Sequence, residues 1–137
     1  MWLGACGGED SPDTQVRAVI AQAERAAEAR DAAALFDLLA PGYHDGRGNR
    51  FEDIKLMVRG YLVAHQSIHL LTRVESVELP ATDLARVRAT VAMLGREAEP
   101  DSAWDLAAEI YEFDLTLARD GGDWRVTRAD WRRAGTS

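Results

Sequence analysis

Apolar residues recur at two different periods in the two halves of this chain. Val16, Val19, Ile20, Ala23, Ala26 and Ala27 follow helical spacing and make one stripe that runs to about Arg30. Ser11, Pro12 and Asp13 mark its start: a capping hydroxyl, a proline suited to the first helical position, and an acid at the positive end of the dipole. Asp31 can cap a second, short helix bearing Leu35, Leu38 and Leu39, which Pro41-Gly42 ends. A polar loop runs from Pro41 to Arg50. Asn49 with Glu52 three residues on has capping-box spacing. A third helix then carries Phe51, Ile54, Val58, Tyr61, Leu62 and His65 on one side.

After the third helix the period falls to two. Ile68, Leu70, Thr72 and Val74 alternate with His69, Leu71, Arg73 and Glu75, then the phase slips to Val77 and Leu79. Such a slip predicts a β-bulge near Glu75-Ser76. Pro80 to Asp83 makes a turn. Val87, Ala89, Val91 and Met93 form a second strand, and an acidic loop spans Gly95 to Ser102. Ala107, Glu109, Tyr111, Phe113, Leu115 and Leu117 share one face of a third. Asp120-Gly121-Gly122-Asp123 predicts a type I′ hairpin into a fourth strand from Trp124. Three helices followed by about four antiparallel strands predict an α+β domain over residues 12–134, with the helices covering one face of the sheet. Residues 1–11 read as a tail.

The hairpin implies a register. If Asp120 faces Asp123, Leu117 faces Val126, Leu115 faces Arg128 and Phe113 faces Asp130. Arg128 and Asp130 then share the apolar face, and Glu109 joins them by parity with Tyr111. A charge on such a face is costly unless paired or wet, so these residues either line a polar pocket or sit solvated at the sheet's open end. The same register puts Trp131 on the other face, beside a ladder in which Arg88 opposes Glu112 and Arg86 opposes Asp114. An aromatic residue among such charges suits a homodimer through the sheet.

Composition narrows the chemistry. With 137 residues the chain is one domain's worth of sequence, and its net charge of −7 disfavours nucleic acid, whose phosphates need basic partners. Cys6 is the single cysteine, so no intrachain disulfide forms. His44, Asp45, His65 and His69 have no close-spaced ligand pairing, which argues against a metal. No serine sits on an elbow turn, and Gly46-Arg47-Gly48 lacks the fuller glycine pattern of a phosphate loop. No cofactor motif is present.

Two resemblances add to this. Leu3-Gly4-Ala5-Cys6, followed by a polar spacer, resembles a bacterial lipobox, although only Met1-Trp2-Leu3 precede it, against the roughly 7–15 apolar residues of a signal peptide. It implies a lipoprotein anchored through Cys6, periplasmic or membrane-attached if an upstream signal exists. The alternative is a cytoplasmic protein with an ordinary thiol in a short tail. The long first helix, the step from Asp31 to Leu39, the polar loop before helix three and the ending Gly122-Asp123-Trp124-Arg125-Val126 with Trp131 beyond resemble an NTF2-like domain. That is the cone-shaped fold of SnoaL-like polyketide cyclases and ketosteroid isomerase. The resemblance implies a pocket between curved sheet and helices, with Tyr43 and Asp45 where such domains often carry rim residues. His65, four residues after Tyr61, can reach its mouth.

The expected ligand-binding set is therefore Tyr43, Asp45, His65, Glu109, Tyr111, Arg128 and Asp130. The expected function is small-ligand binding or interaction without catalysis. The alternative is a cofactor-free isomerase, dehydratase or cyclase with Glu109 or Asp130 as base and His65 or Tyr111 as acid. A purely structural dimerisation module is a third reading.

Overall fold

Each helix starts where a side chain takes up an amide that has no intrahelical partner. In the computed structural model, which describes residues 11–94, 109–119 and 121–134, helix α1 spans Pro12–Glu28. The Thr14 amide donates to Ser11 Oγ at 3.2 Å. Helix α2 spans Ala32–Asp37, with the Ala34 amide on Asp31 Oδ1 at 3.1 Å. Helix α3 spans Phe51–Ala64, and the Arg50 amide donates to Asp53 Oδ2 at 2.9 Å. The capping box thus lies one residue later than the expected Asn49–Glu52 pair. Asn49 is already engaged: its amide and its side-chain Nδ2 each donate to the Asp45 carboxylate at 3.1 Å.

Arg30, just past α1, has φ +59°, a left-handed conformation that favours glycine. Its guanidinium donates to the His65 carbonyl at the end of α3, so it ties together the C-terminal ends of two helices. Two effects therefore oppose each other here. Arg30→Ala keeps the strained backbone and loses the tie, whereas Arg30→Gly loses the tie but relieves the strain. Urea denaturation should find the alanine variant less stable than the glycine variant by about 1 kcal/mol.

The strands are β1 (His69–Ala81), β2 (Leu84–Leu94), β3 (Glu109–Arg119) and β4 (Trp124–Arg133), antiparallel in the order β1-β2-β3-β4. The expected α+β arrangement of helices and a curved antiparallel sheet is present. The β1 bulge falls where the phase slip put it, between Val74 and Ser76. The β3–β4 turn differs from type I′: of its two glycines, Gly121 has positive φ (+79°) and Gly122 does not. The Cys6 tail, Asp120 and the acidic loop lie outside the described residues.

Helix α1 lies on the sheet against β1 and β4. Its Val16 and Val19 pack with Ala85, Val87, Ala89, Leu117 and Trp124, all buried, and Val74, Val77, Leu115 and Val126 extend that core. Each large apolar side chain so buried contributes about 1.5–3 kcal/mol. Gln15 of α1 fixes the β4 end, its Oε1 accepting from Trp124 Nε1 at 2.9 Å and from Arg119 Nη1 at 2.7 Å.

The two outer strands end the sheet differently. The Leu38–His44 segment runs along β4, with the Val126 amide on Leu38 O (2.8 Å), the Ala40 amide on Val126 O (2.9 Å) and the His44 amide on Thr127 O (3.2 Å). Along β1 the Leu70 amide donates to Glu28 Oε2 at 3.0 Å.

Candidate functional site

A second bulge, on β4, decides which residues share a face. Leu117 pairs with Val126 as the hairpin requires, but Thr116 then pairs with Arg128, so Thr127 is an extra residue. Beyond it Leu115 pairs with Ala129, Asp114 with Asp130 and Phe113 with Trp131. The expected Leu115–Arg128 and Phe113–Asp130 pairs are therefore corrected. Arg128 and Asp130 lie on the outer face with Thr116 and Asp114, away from the apolar wall. Trp131 moves the other way and joins Phe113 on the helix-facing side. The outer ladder is corrected too: Arg88 pairs with Asp114, Arg86 with Thr116 and Thr90 with Glu112. The sheet-face dimer loses the exposed tryptophan that motivated it.

The expected site residues separate into two clusters. On the helix-facing side, Glu109 Oε2 accepts from the Tyr111 hydroxyl at 3.2 Å and from Arg133 Nη2. Helix α3 reaches this wall through Tyr61, whose hydroxyl lies 3.3 Å from Met93 Sδ. His65 stacks on Tyr61 with ring centroids 4.0 Å apart, its Nδ1 3.0 Å from the Tyr61 carbonyl. Tyr61 titrates above the ordinary phenol range because burial disfavours the phenolate and the Glu109 charge and Tyr111 add to this. The wall continues through Phe113, 6.5 Å from Tyr111, to Trp131, 6.2 Å from Phe113. The Arg47 guanidinium caps it, 4.6 Å from the Trp131 ring centroid and bonded to the Trp131 carbonyl. Tyr61, Tyr111, Phe113 and Trp131 are each half-buried.

The second cluster locks the 43–49 loop onto β4. The Tyr43 hydroxyl lies 2.8 Å from Asp45 Oδ2 and 3.1 Å from the Ala129 carbonyl. Asp45 is buried and accepts from the Arg47 amide at 2.9 Å as well as from Asn49. Asp130 accepts from Arg128 Nε at 2.7 Å and from the Gly46 amide at 3.3 Å. A Cβ on Gly46 would stand 3.1 Å from Arg128 Nη2, so this approach suits glycine. Burial and the Asp45 hydrogen bond and charge push Tyr43 well above the phenol range. Burial works against the Asp45 carboxylate, but the hydrogen bonds from Tyr43, Asn49 and Arg47 together outweigh it and hold its pKa below the usual aspartate value. The hydrogen bond from Arg128 does the same for Asp130. The acceptors of this cluster face protein donors, which makes it a structural lock.

Among the described residues no group of three or more His, Cys, Asp or Glu is placed to hold a metal ion. Sequence reading passed over Arg47, Phe113, Trp131 and Arg133 as site residues. The signal was present for two of them. Trp124, Val126, Ala129 and Trp131 jump by three at one step, the same slip that marked the β1 bulge between Val74 and Val77.

No family model and no curated protein matches the chain in sequence. Solved structures match it in shape. A protein assigned as a scytalone dehydratase from Novosphingobium aromaticivorans superposes with TM-score 0.72 at 14% identity, covering 90% of this chain and 84% of that one. A type 3 hexachlorocyclohexane dehydrochlorinase from Novosphingobium barchaimii gives 0.68 at 11%, covering 89% and 86%. An NTF2-like protein of unknown function from Silicibacter pomeroyi gives 0.65 at 15%, covering 88% and 94%. The chain has the NTF2-like fold. Its structural neighbours include enzymes as well as proteins of unknown function, so the fold does not by itself choose between them.

Proposed function

We propose that this is a small-ligand-binding domain that works without catalysis, its site being the helix-facing wall of Tyr61, Tyr111, Phe113 and Trp131 with Glu109 and Arg133 at one end. The pairing of the acids carries this reading. A general base needs a carboxylate free to take a proton from substrate. Glu109 already accepts from both Arg133 and Tyr111. Asp130 is bound by Arg128, held below the usual aspartate range and turned to the outer face. Half-buried aromatic residues beside an internally neutralised pair suit a flat, largely apolar molecule with one polar end.

Fluorescence titration with 1-anilinonaphthalene-8-sulfonate, an aromatic anion, tests it. We expect saturable binding, weakened at least about ten-fold in Phe113→Ala, with circular dichroism confirming that the variant is folded. Absence of saturable binding to the folded protein would refute the reading. Deuterium exchange into an enolisable ketone, catalysed by wild type and lost in Glu109→Gln, would establish an enzyme instead.

A further inference from the structure

Helix α3 is apolar on two opposite sides, and among the described residues one of them is covered. Ile54, Val58, Tyr61 and Leu62 are half-buried or buried. On the other side Leu56, Met57 and Val63 are 66%, 46% and 82% exposed. Positions 56, 57, 60, 63 and 64 form a single stripe at i, i+1, i+4, i+7 and i+8. Scattered exposed leucines need no explanation, but an aligned stripe does.

Gly60 lies at its centre. A Cβ there would meet nothing within 4 Å, so no contact among the described residues calls for a glycine, and glycine weakens a helix interior. At the middle of an exposed apolar stripe, a glycine lets another backbone approach closely. Glu52 and Asp53 stand in the first turn of α3, Glu52 3.8 Å from Lys55 Nζ, and the Arg30 guanidinium, held on the His65 carbonyl, lies at its finish.

We infer that α3 is a self-association surface on which a second copy of this chain pairs its own α3, antiparallel and crossing at Gly60. In that arrangement Met57 meets Val63 of the second copy and Leu56 meets Ala64. Each acidic start meets the other copy's Arg30, and the two helix dipoles oppose. A parallel pairing would align the two helix dipoles. An anionic membrane surface suits the stripe less well, because Glu52 and Asp53 flank it and the chain carries −7 overall. A 14-residue helix is about 21 Å long, so the contact is small and the dimer depends on concentration.

Sedimentation equilibrium of the Cys6→Ser protein from about 1 μM to 1 mM tests this. We expect a monomer–dimer equilibrium that Val63→Glu weakens at least about ten-fold. Disulfide trapping in the same background fixes the geometry. Gly60→Cys should cross-link to itself, and Met57→Cys to Val63→Cys in a mixture but not to itself. Leu79→Cys, exposed on β1, should do neither. A wild type that stays monomeric throughout overturns the inference. So does a dimer indifferent to Val63→Glu, or self-linking of Met57→Cys without that of Gly60→Cys. Monomer that sediments with phosphatidylglycerol vesicles through Val63 would show a lipid surface to be the occupant instead.

Discussion

Inserting one alanine between Val126 and Thr127 should abolish the native fold, while Thr127→Ala should be tolerated. Thr127 is the extra residue that lets Val126 face Leu117 and Ala129 face Leu115. One more residue ahead of it exceeds what the bulge takes up, and every side chain beyond the bulge exchanges faces. Arg128 and Asp130 would then turn toward the apolar wall, and Ala129 and Trp131 toward the outer face. Burying the Arg128–Asp130 pair against the apolar wall, away from solvent and the Gly46 amide, and losing the Phe113–Trp131 stack together cost more than about 5 kcal/mol, a large part of a domain's whole stability. Thr127→Ala keeps the count of residues and removes one hydrogen bond, Thr127 Oγ1 to the Thr116 carbonyl at 3.2 Å, worth about 1 kcal/mol. Circular dichroism and urea melts of the two variants separate the effects. An insertion variant that melts like wild type would contradict the register.

Asp45→Ala should be the most damaging single polar substitution in the loop. Its carboxylate is the shared acceptor for the Tyr43 hydroxyl, the Arg47 amide, the Asn49 amide and Asn49 Nδ2. Alanine leaves these donors without that acceptor beside a buried tyrosine, at a cost of about 3 kcal/mol and a melting temperature lower by roughly 10 °C. The same site sets a pH dependence. Asp45 and Asp130 titrate below their ordinary values in the folded protein. Their contribution is therefore present above the unfolded pKa of about 4 and is lost as pH falls through the folded values. Tyr43 is shifted upward, so its contribution is present below the unfolded value of about 10 and declines as pH rises past it. Asp45→Asn should flatten part of the acid limb in urea melts taken between pH 6 and about 2. An unchanged acid limb would show that Asp45 carries none of it.

Local periodicity carried most of the architecture. The helix caps at Ser11 and Asp31, the β1 bulge and the order of elements all depend on neighbours within a few positions. The site depended on more distant facts. Extending the hairpin register from Asp120 assumed an unbroken ladder, and one inserted residue reversed Arg128, Asp130 and Trp131. Asn49 has the right spacing to cap α3, yet the acceptor it serves is Asp45, four residues before it. The Tyr43 contact with the Ala129 carbonyl spans 86 positions, and no pattern in either segment encodes it. Parity sufficed for Glu109 and Tyr111, because β3 runs without a break between them and Leu117.

The unequal edges of the sheet bear on how this protein would misassemble. The β4 edge is occupied by the chain's own Leu38–His44 segment, so an incoming strand would have to displace bonds already made. At the other end β1 is the terminal strand, and among the described residues no further strand pairs with it. Glu28 blocks that edge at Leu70, and the bulge near Glu75, the charge of Glu78 and Pro80 interrupt the rest. Removing those guards would open the fold to strand addition and fibre growth from one side only, with β1 as the seed.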